Sequence, residues 1–169
     1  ARYTFHLRES ARWSNGEPVR ASDFVYAWRR ALLPETSSDY TGMVQLIRGG
    51  KEFFEWRQQA LADFGAGRSG AAGAGDLWAR TLEAFDRLVG ARAINDRTLQ
   101  VDLEAPVPYF LDLCAMPVFM PVYPPLVSQF ETIDPKTGRL ESRHDWTKPP
   151  LVVGNGPFVL TQWRFKREM

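Results

Sequence analysis

The run Tyr3-Thr-Phe-His-Leu-Arg-Glu-Ser-Ala-Arg-Trp-Ser-Asn-Gly-Glu-Pro-Val-Arg-Ala-Ser-Asp-Phe-Val-Tyr-Ala-Trp-Arg-Arg-Ala-Leu-Leu33 joins an alternating segment, a glycine turn and an amphipathic segment without a break. From Tyr3 to Arg8 the apolar residues take every second position, as a strand with one buried face requires. Trp13 to Pro18 reads as a turn, because Asn15 and Gly16 tolerate positive φ and Pro18 stiffens the exit. Ser22 stands where an N-cap belongs, and Asp23 suits the positive end of a helix. Phe24, Ala27, Trp28, Ala31 and Leu32 then recur on one helical face. Strand, turn and helix in this order predict an α/β class of mixed α+β type, with short strands and a hairpin packed against several helices.

Outward from this run, Pro34 ends the first helix, Tyr40 to Arg48 begins another, and Gly49-Gly50 closes it. Lys51 to Phe64 and Asp76 to Leu88 have helical spacing on either side of a Gly/Ala-rich stretch, residues 65–75, which buries little and reads as a mobile loop. The period then changes from helical to alternating. Val89, Ala91 and Ala93 precede the turn Asn95-Asp96-Arg97, and Leu99, Val101 and Leu103 come after it, which predicts a hairpin with one buried face. Tyr109 to Met116 reads as a short helix, Val118 to Val122 as a strand, and Pro124 to Phe130 as a helix with proline in its first turn. Asp134 to Arg139 is a polar turn, Trp146 to Pro150 a loop, and Phe158 to Trp163 a closing strand. The chain thus divides into a strand-turn-helix segment (1–48), a helical insertion (49–88) and a hairpin, short helices and return strand (89–169).

Lys and Arg number 21 against 20 for Asp and Glu, so the net charge of +1 gives no electrostatic case for nucleic acid. No apolar run reaches the length of a membrane span. The single Cys114, in an apolar stretch, cannot form an intrachain disulfide and reads as a small buried hydrophobe. His6 sits inside the first strand and His144 in a polar loop, neither at metal-ligand spacing. Asp145 beside His144 has no nucleophile set against it, and Asp102, Glu104 and Asp112 are spread over a hairpin edge and a helix. Gly154-Asn155-Gly156 lacks the Lys-Ser/Thr and following helix of a phosphate loop. No catalytic residue, metal site or cofactor is assigned, and the chain does not read as an enzyme. Six tryptophans and eleven phenylalanines suffice for a core, and the surplus predicts exposed apolar patches or a dimer.

Three ordered segments carry a family resemblance: residues 3–30, Ala93 to Leu103 continuing into Pro106-Val107-Pro108-Tyr109-Phe110, and Gly154 to Trp163. Together they resemble the extracellular solute-binding proteins of peptide ABC importers (family 5), nearest to the periplasmic oligopeptide-binding proteins. The resemblance implies a fragment of the first lobe of a two-lobed, periplasmic-binding-protein-like fold; Ala1 with no lead-in and Met169 after Lys166-Arg167-Glu168 read as cuts. It implies capture of an oligopeptide by lobe closure, a membrane permease as partner, and a periplasmic or extracellular location with or without a lipid anchor. It also implies a ligand-contacting tyrosine after the first helix, and Tyr40 falls on that position, although Asp39 stands where proline is usual. Packing of Tyr40 against Met43 and Val44 is the alternative. Residues 49–87 interrupt the resemblance. Relatives of this kind also carry dipeptides, cell-wall peptides, nickel chelates or sugars, and a ligand-sensing domain of a regulatory protein is a further alternative.

Overall fold

The computed structural model describes residues 1–164; residues 165–169 lie outside them. Strand β1 (Arg2–His6) and the hairpin β2 (Ala91–Asn95) and β3 (Thr98–Asp102) form an antiparallel sheet in the order β1-β3-β2. Tyr3 stands opposite Val101 and Phe5 opposite Leu99, so the alternating residues of the opening run share the buried face with those of β3. Only Ala91 of β2 is buried: Ala93 stands in register opposite Leu99 yet is exposed, where sequence alternation predicts burial, and a bulge between Ala93 and Asn95 then shifts the register past the exposed Ile94.

Helix α1 (Ala21–Leu32) lies across this sheet with Ala27, Trp28 and Leu32 buried. Its N-cap is Arg20 rather than the expected Ser22, because Asp23 reaches back to accept the Arg20 N–H at 2.9 Å. Trp28 donates its indole N–H to the Phe119 carbonyl at 2.9 Å and meets the Phe119 ring edge-on, and Phe110 packs against Phe119 in the same way. That carbonyl therefore serves an indole rather than a ladder. Between Pro117 and Pro121 the expected strand 118–122 is replaced by a 3-10 turn, Pro117–Phe119.

The helix expected over 40–48 shrinks to α2 (Thr41–Val44), because the backbone is then drawn to the sheet: Ile47 bridges Leu103, and Arg48 N–H donates to the Asp102 carbonyl at 2.8 Å. Gly49, in the left-handed region at φ 71°, redirects the chain into α3 (Gly50–Gly65), which pairs with α4 (Ala74–Leu88) across the Gly/Ala-rich loop. Phe53 of α3 meets Phe85 of α4 edge-on in the common core. Short helices α5 (Phe110–Leu113) and α6 (Pro124–Val127) come next, the latter continued by a 3-10 turn to Phe130. Beyond them, where the spacing predicts only a polar turn, stands a hairpin of β4 (Glu131–Ile133) and β5 (Leu140–Ser142). A 3-10 turn occupies Asp145–Thr147. The predicted strand 158–163 does not form: it has no ladder neighbour among the described residues, and Phe158, Val159 and Trp163 are exposed.

Candidate functional site

The segment between α1 and α2 is tied down by side chains that satisfy the carbonyls a helix end leaves free. Thr36 Oγ1 donates to the carbonyls of Arg30 and Leu33 at 2.8 and 2.7 Å, and Thr41 Oγ1 donates to those of Ala31 and Ser38 at 3.0 and 2.8 Å. Pro34–Thr36 form a 3-10 turn, and Ser37 takes a left-handed conformation at φ 50° to leave it. Tyr40 caps α2 at the end of this braced segment, its carbonyl accepting the Met43 N–H at 3.0 Å, and it is 49% exposed. A fixed backbone and a half-exposed ring suit a contact residue, since a tyrosine offers an apolar face and a hydroxyl that both donates and accepts.

Beneath the segment lies an ion pair that sequence reasoning missed. Glu35 Oε1 accepts from Arg57 Nη2 at 2.5 Å, with side chains 2% and 0% exposed respectively. Arg57 also donates to Thr81 Oγ1 at 2.9 Å and to the Gly138 carbonyl at 2.7 Å, and it lies over the Trp78 ring. One guanidinium thus joins α3, α4, the turn before Tyr40 and the β4–β5 hairpin. Its signal was in the sequence: Phe53, Arg57 and Leu61 recur every fourth residue, which puts an arginine on the apolar stripe. Close by, Glu131 of β4 accepts from Arg30 Nε and from the Tyr26 hydroxyl, both at 2.5 Å. Burial, then the hydrogen bond to Glu131, pushes the Tyr26 hydroxyl above its ordinary pKa, while burial lowers that of Arg29.

The remaining sequence candidates stay apart. His6 is exposed on β1, and His144 and Asp145 are exposed at the 145–147 turn. Asp102 is engaged by Arg2 at 2.6 Å and Arg48 at 3.3 Å, and Glu104 accepts the Gly49 N–H at 3.2 Å. Among the described residues no group of three or more His, Cys, Asp or Glu is placed to hold a metal ion. Cys114 is partly buried, and burial raises its thiol pKa. Gly154 donates its N–H to Ser14 Oγ at 3.3 Å and accepts the Ser14 N–H at 2.7 Å, which joins the segment 154–163 to the opening turn.

The family model described as Bacterial extracellular solute-binding proteins, family 5 Middle, matches residues 1–169. The periplasmic oligopeptide-binding protein OppA of Escherichia coli K12 is 35% identical over 163 residues, which are 95% of this chain and 23% of that protein. The probable deoxycholate-binding periplasmic protein YgiS of the same species is 33% identical over 162 residues, or 96% of this chain and 24% of that one. Among solved structures, OppA of Burkholderia pseudomallei shares the fold at a TM-score of 0.68 and 32% identity, covering 96% of this chain and 25% of that one. The chain therefore spans about a quarter of the length of the relatives it matches.

Proposed function

We propose, because this chain belongs to the bacterial extracellular solute-binding proteins of family 5, that it supplies one wall of a peptide-capturing cleft in the solute-binding component of an ABC importer. The match over the whole chain carries the reading, and the names of its relatives support a periplasmic place of work. The chemistry is capture rather than catalysis. An extended peptide lies between two lobes, bonded through its backbone and bridging waters, and hinge closure presents the loaded protein to the permease.

Tyr40 is the ligand contact in this reading, supported by its half-exposed ring on a braced segment. Calorimetric titration of the complete protein with oligopeptides tests it: Tyr40→Ala weakens binding about tenfold or more, and Tyr40→Phe loses only the hydroxyl's share. Peptides that do not titrate, or an unchanged affinity in Tyr40→Ala, overturn it. The 169-residue chain alone, as one wall, binds no peptide tightly. A lipid anchor and a dimer through the exposed surface around Phe158 and Val159 belong to the same proposal, the dimer checked by light scattering.

A second reading is the same fold holding another solute, and the deoxycholate-binding relative favours it. Mass spectrometry of ligand that co-purifies with the complete protein decides between the two.

A further inference from the structure

Arg29 and Arg30 are neighbours on α1, and only Arg30 finds a carboxylate. Both oxygens of Glu131 are taken, Oε1 by Arg30 Nε and Oε2 by the Tyr26 hydroxyl, each at 2.5 Å. The Arg29 guanidinium instead lies over two rings, its carbon 5.4 Å from the centre of Tyr26 and 5.9 Å from that of Phe85. Among the described residues it has no hydrogen-bond acceptor and no ion-pair partner. Of its three nitrogens Nε alone is enclosed, so Nη1 and Nη2 are open to an incoming group. Ring faces attract a cation but do not accept its in-plane N–H bonds, so stacking leaves the fork of donors unfilled. That is unusual for a partly buried guanidinium, because buried polar groups are almost always paired.

Arg29 lines a cleft of about 230 Å³ between α1, α4, the turn at Ser128 and the β4–β5 hairpin. Arg30 and Glu131 line it too, so its wall carries one more positive charge than negative. Asp86, exposed on α4, acts on Arg29 through space, but it lies outside the lining and makes no ion pair with Arg29. Trp78, Ile133 and Leu140 are the apolar members of the wall. We propose that this cleft is a binding site for a small monocarboxylate, held by the two Nη groups of Arg29 with its hydrocarbon part against Trp78, Ile133 and Leu140. A planar guanidinium matches a carboxylate with two parallel bonds. An ammonium would be repelled, a neutral amide would leave the charge uncompensated, and a dianion would reverse the excess beside Glu131. The volume lies below that of usual ligand pockets, about 300–1,000 Å³, so the acid has only a few carbons. None of this depends on the peptide reading, since Tyr40 is not among the lining residues.

Saturation-transfer NMR on the complete protein tests it with butyrate. Butyrate gives a saturable signal at millimolar concentration, and butyramide, butylammonium and inorganic phosphate each bind about tenfold or more weakly. Arg29→Met keeps an apolar stem over the rings but removes the charge, which abolishes the butyrate signal. If that variant fails to fold, Arg29→Lys decides: it retains the charge without the fork and must weaken butyrate several-fold. Displacement of butyrate by a peptide with a glutamate side chain and blocked termini assigns the site to acidic side chains, and failure to displace it assigns the site to a free acid. No saturable signal, equal binding of butyramide or phosphate, or an undiminished signal in Arg29→Met overturns the proposal.

Discussion

The indole N–H of Trp13 donates to Asp23 Oδ2 at 3.0 Å, and the same oxygen accepts the Arg20 N–H. A turn residue and the first turn of α1 are locked by one buried carboxylate, with Trp13 3% and Asp23 6% exposed. Trp13→Phe keeps most of the apolar volume but removes a bond to a charged acceptor, at a cost of about 2–3 kcal/mol. A urea midpoint that falls with an unchanged slope is the expected result, and an unchanged midpoint refutes the assignment.

Arg57 and Glu35 predict a coupled pair. Arg57→Met leaves a carboxylate buried and unpaired and costs about 3–5 kcal/mol. Adding Glu35→Gln returns part of that loss, since the uncompensated charge is gone. Strict additivity of the two changes in a double-mutant cycle would mean that the two side chains are not coupled.

Glycine matters at position 49 for two reasons and at position 16 for one. A Cβ on Gly49 would stand 2.1 Å from the Leu88 carbonyl oxygen, whereas nothing lies within 4 Å of one on Gly16; both residues have positive φ. Gly16→Ala therefore loses only the backbone contribution, about 1–2 kcal/mol. Gly49→Ala must lose more, because backbone cannot yield as a side chain can. Thermal melts of the two variants rank them, and equal losses contradict the close approach.

Acid should weaken the pairing of β1 with β3 through Asp102, which Arg2 engages. The Arg2 hydrogen bond chiefly, then the charges of Arg2 and Arg48, hold its carboxyl below the ordinary 3.8 against an opposing effect of burial. A depressed folded pKa means the contribution is whole above 3.8 and fades as pH falls through the lower folded value. Asp102→Asn is accordingly less stable than the parent at neutral pH, with a gap that narrows below about pH 4. Melting curves from neutral to strongly acidic pH show whether the gap closes or stays constant.

Most of the architecture was legible where periodicity is long. The run from Tyr3 to Leu33, the helices 50–65 and 74–88 and the 91–102 hairpin all emerge from spacing, because a dozen residues average out local exceptions. Three-residue strands such as Glu131–Ile133 and Leu140–Ser142 are too short to show alternation, so only their turn was visible. Val118 to Val122 misled because β-branched residues read as strand, while two prolines and the Trp28 indole decided the backbone. Tyr40 came from resemblance alone. Nothing in the spacing shows that Thr36 and Thr41 brace it, and the Glu35–Arg57 pair needs residues from four separate segments.

The exchange between Ser14 and Gly154 spans 140 positions of the chain. A chain emerging amino terminus first can close the Trp13–Asp23 bond early, since these two residues are 10 positions apart. It cannot seal Ser14 until Gly154, 140 positions later, has emerged, so the turn is begun early and completed only after that long stretch has been made. Closing so long a loop late makes that junction a slow, non-local step in folding. An interrupted translation product would leave the face of Ser14 open to whatever strand reaches it first.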